Sequence, residues 1–285
     1  MTRMTGSPAW RERPALHQSE RMPVLFLGHG SPMNAIEDNA YRRSWQALGE
    51  QFGSRWPLPQ LIVCVSAHWL TQGWWLTAMA QPRTIHDFVG FPAALFDLQY
   101  PAPGFPQAAE QIRALFHDPG GGEKLSLDRQ AWGLDHGTWS VLAPMFPKAN
   151  IAVIQLSMDY DRAPADHFAF GRQLRALREL GVLLVASGNM VHNLQALKMD
   201  AATDTAYDWA LEFDTTTACH IEQGDFGALQ NFQGLGRVAQ QAHPSHEHFL
   251  PLLYAVGALD AGEAPEFFNL GFQAASISMR SVLWA

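Results

Sequence analysis

Three histidines stand where apolar runs give way to small or polar residues. FLGHGSPM (26–33) sets His29 between Gly28 and Gly30, VSAHW (65–69) carries His68, and ASGNMVHN (186–193) carries His192. A neutral imidazole is the commonest metal ligand and the side chain best suited to proton transfer near neutral pH. In a parallel sheet the carboxyl ends of the strands share one edge, so three distant sequence positions at such ends converge there. The chemistry to expect is that of a metal centre with an acid/base group beside it.

Further histidines are candidates for the same place. His136 lies in GLDHGTW (133–139), at the start of an apolar helical pattern, either facing a pocket or only capping. His86 lies in TIHDF (84–88), as a substrate or supporting contact. His243, His246 and His248 fall together before a helix in HPSHEH (243–248); in an extended segment His246 and His248 would point the same way. His17, His117, His167 and His220 sit on polar or helical stretches and read as surface or hydrogen-bonded structural residues. Other chemistries fit less well. There is no HExxH string, GHGSP is not the GxSxG nucleophile elbow, and SGN lacks the GxGxxG context of nucleotide binding. Neither cysteine sits beside a plausible catalytic base, since His220 next to Cys219 reads as a surface or structural residue.

The elements that must position these residues are visible as short apolar runs. PVLFL (23–27), LIVCVSA (61–67), WWLTAMA (74–80), IAVIQLS (151–157), VLLVASG (182–188) and ASISMRSVL (275–283) read as strands, the last as an antiparallel edge strand. Residues 40–52, 104–118, 167–181, 207–221 and 246–259 carry helical spacing, with Pro251 tolerated in a first turn. The GGGE run (120–123) reads as a loop between a helix and a short strand. Strands alternating with helices predict an α/β fold: a single three-layer domain, a central mostly parallel sheet with helices on both faces.

Composition narrows the function. Hydrophobic residues make up 47% and charged residues 16% of 285 positions, enough to bury a large core. The formal net charge is −8 with no basic block, which argues against nucleic acid or an anionic membrane as partner. No apolar run reaches the roughly 20 residues a bilayer span needs. Two cysteines, Cys64 and Cys219, make no disulfide framework, and a cytoplasmic location is expected. Residues 1–21 are polar and contain prolines, so they read as a flexible N-terminal extension before a catalytic domain at 22–285. Twelve histidines and 10 tryptophans are many, and together suggest an aromatic-lined pocket around a metal.

LFLGHGSPMN (25–34), VSAHW (65–69), TIHDFVGFP (84–92), YPAPG (100–104), WGLDHGTW (132–139), IQLSMD (154–159), ASGNMVHN (186–193) and PSHEHFLPLLYAVGA (244–258) resemble, in order, the class III extradiol ring-cleaving dioxygenases, especially those of the 4,5-DOPA dioxygenase extradiol type. The resemblance covers nearly everything from Met22 to the end. It implies one divalent metal held by His29, His68, His192 and His248. His192 would double as acid/base, with His136 close to substrate. His246 stands where the family has proline, so His246 and Glu247 remain rivals to His248. The activity implied is cleavage of a catechol ring, DOPA-like, by O2 to a muconic semialdehyde. Fe2+ would serve the ring cleavage and Zn2+ is the ion expected to be found bound, since histidines suit both. His86, Trp69 and Trp139, together with Phe88 and Phe91, are the candidate walls around the substrate ring. Arg83 and Arg129 are candidates, by charge alone, for a substrate carboxylate. Two alternatives remain at this point: a zinc-dependent hydrolase on the same scaffold, and a non-catalytic metal-binding protein.

Overall fold

The structure, a computed structural model, describes residues 16–118, 125–202 and 205–285. The GGGE run and residues 1–15 of the expected extension lie outside the described residues. Residues nearer the domain are tied to it: the Ser19 amide donates to the Glu179 carbonyl, and Arg21 pairs with Asp260 at 2.5 Å.

Ten strands are present among the described residues: β1 (Val24–Gly28), β2 (Leu61–Thr71), β3 (Trp75–Thr77), β4 (Ser126–Asp128), β5 (Ala152–Asp159), β6 (Val182–Gly188), β7 (Glu266–Phe268), β8 (Phe272–Gln273), β9 (Ile277–Ser278) and β10 (Ser281–Trp284). Eight of them form one sheet in the order β4-β3-β5-β2-β6-β1-β10-β7, while β8 and β9 pair by themselves. The four central strands β5, β2, β6 and β1 are mutually parallel. β10 runs antiparallel to β1, but the edge belongs to β7, which pairs on its far side. The carboxyl-terminal run is therefore not one edge strand over 275–283: it breaks into β9, paired with β8 outside the main sheet, and β10, antiparallel as expected but one strand inside the edge.

Both faces of the central strands are apolar, as a parallel sheet covered on both sides requires. Side chains alternate between faces with the strand period of two. On β1, Val24 and Phe26 join one core while Leu25 and Leu27 join the other; on β6, Val182 and Leu184 oppose Leu183 and Val185. The helices divide accordingly. α1 (Ala40–Gly49), α2 (Ala93–Phe96) and α4 (His136–Met145) bury Trp45, Leu95 and Trp139 against the Leu25 face. α3 (Pro106–Leu115), α5 (Pro164–Leu174), α6 (Asp208–Gln223), α7 (Phe226–Gln230), α8 (Arg237–Ala242) and α9 (Leu250–Gly257) bury Ile112, Phe170, Phe213, Leu229, Ala239 and Leu252 against the Val24 face. The three-layer α/β domain is thus observed. Pro251 lies in the first turn of α9, where its missing N–H leaves no hydrogen bond unmade. Among the described residues, no helix is long and apolar enough to cross a membrane.

Candidate functional site

The parallel strands β2, β6 and β1 are neighbours, so their carboxyl ends bring His68, His192 and His29 to one rim. β1 ends at Gly28, and His29 follows with its amide donating to the Gly188 carbonyl at 3.0 Å. Glycine is required on both sides of it. A Cβ on Gly28 would stand 2.7 Å from the Met279 carbonyl, and Gly30 has φ +56, a left-handed backbone that side chains disfavour. His68 is not past its strand, as its sequence context suggests, but inside it. β2 continues to Thr71, and its pairing with β5 shifts register between Val65 and Leu70. That irregularity surrounds His68 and marks a strand re-aimed at a site.

Two more histidines arrive from other elements. His136 is the first residue of α4. The cap is its neighbour: Asp135 accepts the Thr138 amide, which frees the His136 ring for the cavity. Asp135 is buried and also accepts from Ser66 Oγ at 2.7 Å and from Gln155 Nε2. Burial, then the nearby Asp87 charge, pushes its carboxyl up to about 6 against those hydrogen bonds. His248 enters from the turn before α9, with its carbonyl held by the Asn189 amide at 2.9 Å. That turn settles the HPSHEH cluster. The chain is not extended there, because the Phe249 and Leu250 amides fold back onto the His246 carbonyl. His246 is consequently exposed against Gln233, and His243 is buried with its ring Nε2 donating to the Met190 carbonyl. Of the three, His248 alone faces the cavity.

The ring orientations follow from what holds each Nδ1. Ser187 Oγ donates to the Gly137 carbonyl, so it accepts from His29 Nδ1 at 3.0 Å. Glu247 Oε1 lies 3.0 Å from His248 Nδ1. Asp87 serves two rings: Oδ1 is 2.9 Å from His136 Nδ1, and Oδ2 is 3.5 Å from His68 Nδ1. Asp87 Oδ1 also accepts the His136 amide at 3.0 Å. Burial alone would raise the Asp87 carboxyl, but His136 and His68 outweigh it and hold it below the usual carboxylate range. Oxygen acceptors at Nδ1 of His29 and His248 place the proton there and leave their Nε2 lone pairs free, while the Asp87 carboxylate lies at ion-pair distance from Nδ1 of His136 and His68.

Those free lone pairs converge. His29 Nε2 and His68 Nε2 are 3.2 Å apart. His248 Nε2 is buried without a hydrogen-bond partner, and its ring centroid lies 5.2 Å from that of His29 and 5.0 Å from that of His68. Burial, reinforced by the neighbouring imidazoles, pushes His29, His68 and His248 well below the ordinary histidine range, so all three are neutral at neutral pH. Two acceptor nitrogens face to face, with a third orphaned beside them, fit a divalent transition-metal ion. His192 stacks on His248, centroids 3.4 Å apart and rings nearly parallel, and burial brings it down to about 4. It groups with His248 and Glu247, whereas the nitrogens of His29 and His68 group with that of His136.

The histidines open onto a cavity of about 700 Å3 that Phe88, Phe91 and Phe272 also line. A cavity of that size accommodates a small aromatic molecule beside the imidazoles.

A family model described as the catalytic LigB subunit of aromatic ring-opening dioxygenase matches residues 23–282. This chain belongs to the LigB family of aromatic ring-opening dioxygenases. A 4,5-DOPA dioxygenase extradiol of Escherichia coli K12 is 46% identical over 270 residues, 93% of this chain and 95% of the relative. One from Beta vulgaris is 34% identical over 84% of this chain and 87% of the relative. An uncharacterized Escherichia coli K12 protein of known crystal structure superimposes with a TM-score of 0.78 at 41% identity, covering 93% of this chain and 100% of the other. Membership of the LigB family makes the protein an extradiol aromatic ring-opening dioxygenase, and the hydrolase and storage alternatives have no comparable support.

Within this LigB-family site the aromatic candidates separate. Phe88 and Phe91 line the cavity, and Phe88 stands edge-on to His136 with centroids 5.4 Å apart. Trp139, His86 and Trp69 are not among the lining residues. Trp139 is fully buried behind Phe88, with its Nε1 donating to the Ile85 carbonyl at 2.8 Å. His86 packs against Trp139, and its Nε2 lies 2.9 Å from the Leu98 carbonyl. Trp69 stacks on Trp132 away from the cavity. Arg83 donates to the Ala131 carbonyl and Arg129 pairs with Glu110, so neither reaches the site. Asp87 was legible only as a carboxylate next to His86; the histidines it serves are His68 and His136. Ser187 carried no sequence signal beyond its place at the end of β6.

Proposed function

We propose that the protein cleaves a catechol ring by the extradiol route, consuming O2 and releasing a muconic semialdehyde, with one divalent metal as cofactor. The observation that carries the reading is the pair of lone-pair nitrogens His29 Nε2 and His68 Nε2, 3.2 Å apart at the floor of an aromatic-lined cavity. His29, His68 and His248 would hold the ion. His192, to which the family resemblance gives both metal binding and proton transfer, acts as the acid/base group. The chemistry such an ion supplies when bound is polarisation of the catechol oxygens and, for Fe2+, electron transfer to O2, which Zn2+ lacks. Relatives named 4,5-DOPA dioxygenase extradiol support catechols as the substrate class.

The chain's own contribution is orientation and proton traffic. Ser187, Asp87 and Glu247 each fix one or two imidazoles through Nδ1, so no ring needs to reorganise on binding. His192, neutral at neutral pH, accepts a proton from a catechol hydroxyl and returns it to the product side of the reaction. His136, with Nδ1 held by Asp87, presents Nε2 to the same space and assists. Phe88 and Phe91 flank the ring and exclude water. Two free cysteines, Cys64 buried and Cys219 exposed, support action in a reducing cytoplasm.

The test is oxygen uptake with catechol after anaerobic loading with Fe2+, followed together with the absorbance of a ring-opened product. Uptake stoichiometric with product is expected, and a Zn2+-loaded sample should be inert. No oxygen consumed by the Fe2+-loaded protein would overturn the reading.

A further inference from the structure

His192 is held differently from its neighbours. Oxygen atoms stand at Nδ1 of His29, His136 and His248, whereas the His192 ring stacks on His248 and takes its position from its main chain. That main chain is tied to residues 276–278. The Val191 carbonyl accepts from the Ser278 amide at 3.0 Å, and the Asn193 amide donates to the Ser276 carbonyl at 3.2 Å. Ser276 Oγ donates to the Asn193 carbonyl at 2.9 Å, and His192 itself bridges Ile277 in antiparallel register.

The segment needs support from outside. Ala274 and Ala275, just before it, have φ of 49 and 63, a left-handed backbone that residues with a Cβ disfavour. Such a conformation persists only where the surroundings impose it. A charge-assisted hold comes from Asp214, a fully buried residue of α6 that does not line the cavity. Its Oδ1 accepts from Ser278 Oγ at 2.5 Å. Its Oδ2 accepts from Arg280 Nε at 2.8 Å and pairs with Arg280 Nη2 at 2.7 Å. α6 is a firm base, because the adjacent Phe213 is buried edge-on against His243 and Phe249. A carboxylate in such a place costs desolvation that an apolar side chain avoids, and a buried ion pair is weak support for stability. What the charge secures is the place of Ser278, and through it that of His192.

We infer that Asp214 is a positioning residue for ring cleavage: by clamping Ser278 and Arg280 it aims His192 from outside the cavity. The inference rests on the reading of His192 as the acid/base group and adds the part of the fold that aims it. His29 and His248 have oxygen partners of their own, so a loosened clamp leaves the ion in place.

Fe2+-loaded wild type, Asp214→Asn, Ser278→Ala, His192→Gln and the two double variants with His192→Gln are compared with catechol and O2 for kcat, KM and metal content. Asp214→Asn keeps the size and loses the charge. Its kcat should fall about 10- to 100-fold, since a misplacement of about 1 Å costs as much, with KM and metal content retained. Ser278→Ala, which leaves the Asp214–Arg280 pair intact, should lose about tenfold in kcat. On top of His192→Gln, either change should cost less than about twofold more, because the group it aims is gone; a merely structural role would multiply its full factor onto the double variant. Independently of turnover, the Ser278 and Asn193 amides of Asp214→Asn should exchange hydrogen about tenfold faster than in wild type. A kcat close to wild type, a full further loss in the double variants, loss of metal together with activity, or unchanged exchange each overturns the inference while leaving ring cleavage intact. Should Asp214→Asn fail to fold, Ser278→Ala and its double variant decide by the same criteria. If the wild type consumes no O2 with catechol, or His192→Gln turns over as wild type does, the reading beneath falls and this inference with it.

Discussion

Asp87 grips two histidines from different elements: Oδ1 lies 2.9 Å from Nδ1 of His136, at the start of α4, and Oδ2 lies 3.5 Å from Nδ1 of His68, inside β2. One carboxylate is therefore shared between a proposed metal ligand and a proposed proton-transfer partner. Asp87→Asn keeps the shape and removes the charge. Metal affinity should fall roughly 10- to 100-fold, the usual cost of losing a carboxylate behind a ligating imidazole. Competition with a chelator reads the affinity. An unchanged affinity with intact folding would show that His68 is held by other means.

His29→Ala and His68→Ala should lose bound metal and turnover together, since each removes a lone pair from the 3.2 Å pair. His192→Gln should keep most of the metal and lose on the order of 10²–10⁴ in kcat, the span typical of a lost general acid/base. Metal content by elemental analysis beside kcat separates the two. If His192→Gln empties the site as completely as His29→Ala, the division of roles is wrong.

Asp135 caps α4 and accepts from Ser66 and Gln155 in a fully buried position. Asp135→Ala removes the cap, about 1 kcal/mol, and leaves the Ser66 and Gln155 donors buried without acceptors, about 1–3 kcal/mol more. A drop of several degrees in Tm should accompany weaker activity, because His136 begins the helix that loosens. Thermal unfolding of the variant checks it.

Two buried histidines outside the cavity make the fold acid-sensitive. His167 accepts from the Tyr254 hydroxyl at 2.8 Å and, through burial, falls to about 4; His243 falls to about 3 for the same reason. Both folded values lie below the unfolded 6.5, so the unfolded chain binds more protons in acid. Their stability is fully present above pH 6.5 and is lost as pH falls towards the folded values. At about pH 5 each contributes a loss of about 2 kcal/mol. Urea midpoints at neutral pH and near pH 5 measure the loss, and His167→Gln should reduce it by its own share. A pH-independent midpoint would contradict the neutral assignment.

The strands and the convergence of His29, His68 and His192 were legible because both depend on short-range pattern. Uninterrupted apolar runs mark strands buried on both faces, and parallel strands align their carboxyl ends wherever they lie in the chain. The helix α9 was legible but its start was not: it begins at Leu250 rather than 246, with Pro251 in its first turn as its chemistry demands. His248 and His246 could not be told apart, because their directions depend on a turn that only the docking of α9 imposes.

What the sequence by itself determined is the α/β architecture, the family and the rim on which the imidazoles meet. These follow from periodicity and from local motifs that persist wherever they are read. The tertiary structure alone decided which side chains face the cavity. It put Trp69, His86 and Trp139 outside the lining, brought in Asp87 from 49 residues before His136, and kept Arg83 and Arg129 away. The physical reason is that a side chain's surroundings are set by loops packing across the sheet edge, and no pattern of neighbours along the chain encodes a contact made at that distance.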